Sequence, residues 1–127
     1  IRLSLVGSEM CIRDSYKQAD MFIQVGWRPE GTSVSLLYAM AFGVPSILPG
    51  GGGLQWAAKN SALYVTNGNP DELSAAIEKL GNDPELREHL SRGCYERIAE
   101  DEMDYRVQIK RLSSEMERLA SGRAKNA

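Results

Sequence analysis

Glu30 is followed by Gly31, Thr32 and Ser33, and then by residues 34–42, a run that is apolar on nearly every side. A carboxylate at the start of a helix can accept hydrogen bonds from sugar hydroxyls. The first-turn N–H groups beside it carry a partial positive charge that suits phosphate oxygens. A second segment, Gly50 to Gly53, lets backbone approach a ligand with no Cβ in the way. Each segment also has a plain reading, since glycine runs are commonly turns and an exposed glutamate before a helix commonly serves its dipole. His89 is the single histidine, which excludes most multi-histidine metal sites and leaves a serine or cysteine triad one candidate base. Cys11 and Cys94 stand far apart, outside any CxxC or Cys/His cluster. No metal site and no disulfide framework is therefore expected, and a reducing cytosol is the default.

These segments need a scaffold, and the chain reads as an α/β fold. Residues 16–20 end a helix, 21–25 (MFIQV) form a short strand, and 34–42 form a helix with Thr32 and Ser33 as candidate N-caps. Gly43 and Pro45 stop that helix. Residues 46–48 form a second strand, 54–59 a helical turn and 62–66 (ALYVT) a third strand. Strands alternating with helical connections predict a parallel sheet, with ligands beyond its carboxyl edge, where both glycine-rich loops fall. Asn69 caps a helix that starts at Pro70, closes at Gly81 and carries Leu73, Ala76, Ile77 and Leu80 on its inner stripe. Asp83 and Pro84 start another, with Leu86, Leu90, Cys94 and Ile98 at helical spacing. Residues 105–119 form a last helix with Tyr105, Ile109, Leu112, Met116 and Leu119 on one face, and 121–127 read as a flexible tail.

Composition bounds what this fold can do. The chain has 127 residues, 43% of them apolar, enough for one core and too few for two. Fifteen Lys and Arg against 17 Asp and Glu give a net charge of −2, which removes the footprint of a nucleic-acid binder. No apolar run approaches the roughly 20 residues that a membrane-spanning helix needs. Ile1 stands where a start methionine would, which reads as a fragment.

In this order and spacing, residues 16–121 resemble the carboxyl-terminal domain of group 1 retaining glycosyltransferases. The segment YKQADMFIQVGWRPEGTSVSLLYAMAFGVPSIL carries the resemblance, most specifically in EG followed by LLYAMAFGVP, and GGGG, ALYV and NPDEL continue it. The resemblance implies a Rossmann-like parallel sheet with flanking helices, part of the carboxyl-terminal half of a GT-B fold with a helical extension. It implies transfer of a hexosyl unit, with retention, from a nucleotide diphosphate sugar to an acceptor that the sequence does not identify, without a cofactor or bound metal. Residues 16–120 are then an N-terminally truncated nucleotide-sugar-binding domain whose partner is the absent N-terminal domain of the same protein. A cytoplasmic location is implied, or one peripheral to the inner membrane in the full-length protein. Residues 4–15, SLVGSEMCIRDS, resemble a translated sequencing adaptor, so 1–15 read as a non-native leader; a genuine strand-loop-helix entry is the alternative.

By the same resemblance Glu30 is the catalytic residue at the donor sugar. Gly31, Thr32, Ser33, Gly52 and Gly53 are donor-binding, and Arg28 neutralises phosphate or stays a solvated surface arginine. Tyr38 stands where the family has a second, ribose-binding glutamate. A tyrosine hydroxyl cannot reproduce a bidentate, charge-assisted grip, and Tyr38 is read either as a weakened ribose contact or as packing. Thr32 and Ser33 replace an aromatic-glycine pair, and Trp56 replaces an acidic residue and is read as packing. The chain supplies none of the family's upstream Arg and Lys, so the isolated chain is expected to be inactive. Two competing readings remain: a degenerate binding or scaffold module of the same fold, and a dinucleotide-binding domain. The second lacks a spaced GxGxxG at Gly50 to Gly53.

Overall fold

The computed structural model describes residues 8–26 and 31–125, and the chain divides into two compact units, Ile1–Arg97 and Ile98–Ala127. The first unit runs α1 (Ser8–Gln18), β1 (Phe22–Ile23), α2 (Val34–Ala41), β2 (Ser46–Pro49), α3 (Gly52–Ala58), β3 (Ala62–Val65), α4 (Pro70–Asn82) and α5 (Pro84–Ile98). The strands form one parallel sheet in the order β1-β2-β3, with Phe22 opposite Ser46 and Ile47 opposite Leu63. Helical connections return the chain to the same edge before each new strand, which is what makes the pairing parallel. Every residue of the central β2 is buried, as expected of a strand covered on both faces. On one face Ile47 packs with Val65 of β3, Leu80 of α4 and Leu90 of α5, while α2 and α3 also contact β2 and each other.

Several boundaries differ from the sequence reading, each for a local reason. The strand expected over 21–25 pairs only at Phe22 and Ile23, although the Gln24 N–H still donates to the Ile47 carbonyl at 3.1 Å. The helix expected to reach Phe42 ends at Ala41. There Gly43 N–H donates to Met40 O at 3.0 Å and Val44 N–H to Ala39 O at 2.9 Å, a Schellman closure that needs the positive φ of 66° at Gly43. Helix α3 starts two residues earlier than expected, because Gly51, at φ 98°, turns its N–H onto the Gln55 side-chain oxygen at 2.6 Å. Gly81 does not close α4. The Arg87 guanidinium donates to the Leu80 and Gly81 carbonyls at 2.7 Å each, so the helix continues to Asn82 without a left-handed stop. Asp83 then caps the following helix through the Leu86 N–H at 2.9 Å.

The second unit contains α6 (Tyr105–Lys125), which runs beyond the end of its apolar stripe at Leu119. Its start is fixed by Asp104, whose carboxylate accepts from the Arg106 backbone N–H at 2.8 Å and from the Arg106 guanidinium.

Candidate functional site

Helix α2 starts at Ser33, an extended residue whose Oγ accepts from the Leu36 N–H at 3.4 Å. Thr32, the other candidate cap, has a different partner: its Oγ1 donates to the Gly53 carbonyl at 3.4 Å. A Cβ at Gly53 would lie 2.5 Å from the Thr32 nitrogen and 2.7 Å from the Gly31 carbonyl carbon. The missing side chain of Gly53 therefore admits neighbouring backbone, and the two glycine-rich segments meet. Gly52 precedes it at φ 64°, a conformation that favours glycine. Gly31, Thr32, Ser33, Gly52 and Gly53 are thus brought together between α2 and α3. Helix geometry leaves the first-turn amides of Val34 and Ser35 without intrahelical acceptors at the same place. Arg28 and Glu30 lie outside the described residues.

The carboxyl edge of the sheet is concave. A cavity of about 480 Å³ has Val25 and Gly26, after β1, on one side and Asn67 and Gly68, after β3, on the other. A further cavity of about 380 Å³ lies among Gly50, Tyr64, Val65, Thr66, Asn67 and Glu72. The turn after β3 borders both and is tied down by Glu72. This carboxylate accepts from the Thr66 N–H at 2.6 Å, the Thr66 hydroxyl at 3.1 Å and the Asn69 amide at 3.0 Å. Asn69 caps α4 in return, its Oδ1 accepting from the Asp71 and Glu72 N–H groups. The Thr66 bonds favour the charged form and hold the Glu72 carboxyl below the usual carboxylate range.

Tyr38 is half-exposed and stacks on Tyr16 of α1, ring centroids 6.0 Å apart; Tyr16 also stacks on Phe42 at 6.1 Å. Tyr38 thus has ring contacts within the fold while its side chain remains open to solvent. Trp56 is a packing residue, with the Arg97 guanidinium 5.1 Å from its ring centre.

Three residues acquire roles that the sequence reading did not assign. Glu72 ties the turn; its signal was Asn69 followed three residues later by a glutamate, the pattern of a reciprocal cap. Arg97 is buried and closes α3 from the far end of α5, donating to the Ala57 carbonyl at 2.9 Å and the Trp56 carbonyl at 3.0 Å. Tyr64 donates to the Lys59 carbonyl at 2.5 Å, and burial pushes its hydroxyl up to about 12. Cys94 is fully buried, and desolvation raises its thiol, which donates weakly to the Ser61 carbonyl at 3.6 Å. It is an interior thiol, held protonated.

Among the described residues, no group of three or more His, Cys, Asp or Glu side chains could hold a metal ion, and no helix is long and apolar enough to cross a membrane. No curated protein matches the chain. Residues 4–97 match the family described as glycosyl transferases group 1. The matched span contains all three strands and both meeting loops, and it ends at Arg97, where the first compact unit also ends. With its parallel sheet, flanking helices and a family match over most of its length, this chain belongs to the group 1 glycosyl transferases.

Proposed function

We propose that this chain is the donor-binding part of a glycosyltransferase that takes a hexosyl unit from a nucleotide diphosphate sugar and transfers it with retention at the anomeric carbon. The observation that supports this most is the contact of Gly53 with Gly31 and Thr32 at the carboxyl edge of a parallel sheet. It turns two weak loop signals into one backbone-lined seat beside a helix N-terminus. In this reading Glu30 meets the sugar hydroxyls, and the amides of Gly31, Thr32, Ser33 and the first turn of α2 meet the diphosphate, with Arg28 beside them. Negative charge grows on the phosphate oxygen as the glycosidic bond breaks, and amides already aimed there stabilise it without reorganising. The acceptor and an N-terminal domain of the same protein complete the reaction. The protein is read as cytoplasmic on its cysteine usage.

Titration of the 127-residue chain with UDP, GDP and ADP is expected to give saturable binding to at least one of them, and no turnover of the matching sugar nucleotides. Turnover by this chain would refute the inactivity, and absence of any binding would refute the donor site. In a longer protein carrying this segment, Glu30→Gln is expected to lower transfer about 10- to 100-fold, the range for losing a charged hydrogen-bond partner. Transfer that survives nearly intact removes Glu30 from the site.

Tyr38 in place of the second glutamate supports a second reading, a binding module of the same fold without catalysis. An Arg and Lys pair upstream in the parent protein would favour the enzyme, and Tyr38→Glu tests the role of the tyrosine itself. Improved nucleotide affinity would mark a weakened ribose site, whereas unchanged affinity with lower stability would mark packing.

A further inference from the structure

In the turn after β3, Asn67 is followed directly by Gly68. The Asn69 N–H donates to the Thr66 carbonyl at 3.1 Å, so the turn closes from residue 66 to residue 69. Gly68 stands third in it at φ 79°, and Asn67 before it does not have a positive φ, which together make a type II turn. Both central residues are exposed, and a Cβ added at Gly68 would meet open space. Among the described residues no hydrogen bond engages the Gly68 N–H or the Asn67 carboxamide. A backbone nitrogen thus lies within a five-membered ring's reach of a carboxamide carbon, with no Cβ on the glycine to keep them apart. The other asparagines of the first unit differ. Asn69 precedes Pro70, which has no N–H. Asn60 precedes Ser61, whose N–H is held by the Ala58 carbonyl at 2.8 Å. Asn82 is the last residue of α4 and precedes Asp83, which carries a side chain.

We propose that Asn67 is a deamidation site, and that the carboxylate formed there weakens anion binding at the carboxyl edge of the sheet. The Gly68 nitrogen attacks Cγ of Asn67. A Cγ–N bond forms, the Cγ–Nδ2 bond breaks, and the proton of the attacking nitrogen leaves with Nδ2 as ammonia. Water then adds to one of the two carbonyl carbons of the resulting cyclic imide and opens it. Opening at Cγ leaves aspartate, whereas opening at the main-chain carbonyl leaves isoaspartate, whose backbone runs through Cβ and Cγ. The balance is amide plus water to carboxylate plus ammonium, with no oxidant or reductant. A type II turn holds the Gly68 nitrogen out of line with Cγ, so closure requires the central peptide to rotate about the Asn67 Cα–C bond. Glycine in the third position permits that rotation because it takes φ of either sign, while Glu72 keeps the ends of the turn at Thr66 and Asn69 in place. Asn67 borders both larger cavities, one with Gly26 and Gly68 and the other with Gly50 and Thr66. The new carboxylate adds a negative charge to both walls. Its effect on a nucleotide diphosphate rests on the donor reading above.

Incubation of the full 127-residue chain in warm, mildly alkaline buffer, followed by peptide mapping, tests the site. Asn67 is expected to convert to a mixture of aspartate and isoaspartate before Asn60, Asn69 or Asn82 does. Asn67→Ser is expected to abolish that conversion, and circular dichroism checks that the variant keeps its fold. An Asn67 that persists while another of these asparagines converts first would overturn the site. Asn67→Asp, a homogeneous form of one product, tests the effect on anions. It is expected to bind UDP, GDP or ADP at least about threefold more weakly than freshly prepared parent at low salt, the scale of one charge repelling another across solvent. Equal affinity would overturn the effect on anions alone. A parent chain that binds none of the three nucleotides would overturn the donor reading and with it that effect, but not the conversion that mapping reads.

Discussion

At Gly53 a hydrogen atom stands where other residues carry a Cβ, and the consequence is measurable against a second glycine. Gly81 is inside α4 with open space around its Cα, so Gly81→Ala is expected to stabilise the chain by up to about 1 kcal/mol through helix propensity alone. Gly53 is also helical, yet an alanine there collides with the Thr32 backbone nitrogen. Gly53→Ala is expected to destabilise by about 1–3 kcal/mol, the range for overpacking, and to weaken nucleotide binding. Urea denaturation of the two variants side by side checks the sign of each. If Gly53→Ala stabilised as Gly81→Ala does, the two loops would not be in contact. The sequence carried the identity of this glycine but not its neighbour, because the contact joins segments 21 residues apart and nothing local encodes it. Tyr38 was open for the same reason, its stacking partner being Tyr16 on another helix.

Elements were more legible where their signals were local. The Asn69 and Pro70 start of α4, the Gly43 stop of α2 and the buried run of β2 follow from residues adjacent in the chain. Ends that depend on a distant or unexpected partner were misread, as at Gly81, where the Arg87 guanidinium replaces the turn that a glycine stop would make. Glu72 belongs to this class, because its bonds join the start of α4 to the end of β3. Its folded-state carboxyl lies below its ordinary value of 4.5, so its contribution to stability is present above that value and lost as pH falls through the folded value. Glu72→Gln is accordingly expected to have a lower melting temperature than the parent at neutral pH, with a gap that narrows as pH falls from neutral to below the ordinary value of 4.5. Thermal melts across that interval check it, and a gap independent of pH would assign the effect to side-chain shape instead of charge.

Over the first compact unit as a whole, Arg97 ties the end of α5 back to α3. It closes α3 from a position 40 residues beyond Ala57. Arg97→Met keeps the aliphatic stem and removes the hydrogen bonds donated to the Ala57 and Trp56 carbonyls. A loss of about 2 kcal/mol is expected in urea denaturation, in the range of hydrogen bonds from charged donors. Equal stability would mean that water replaces the guanidinium at no cost.

The long reach of this tie also has a bearing on how the protein is made. Chains emerge from the ribosome amino-terminus first, at roughly 5–20 residues per second. The Gly50 to Gly53 segment and α3 leave it well before Arg97 does, so α3 waits several seconds for the residue that closes its last turn. The contact of Gly53 with Gly31 and Thr32 is thus complete in sequence before Arg97 is made, whereas the last turn of α3 gains its Arg97 hydrogen bonds only once the end of α5 has been synthesised.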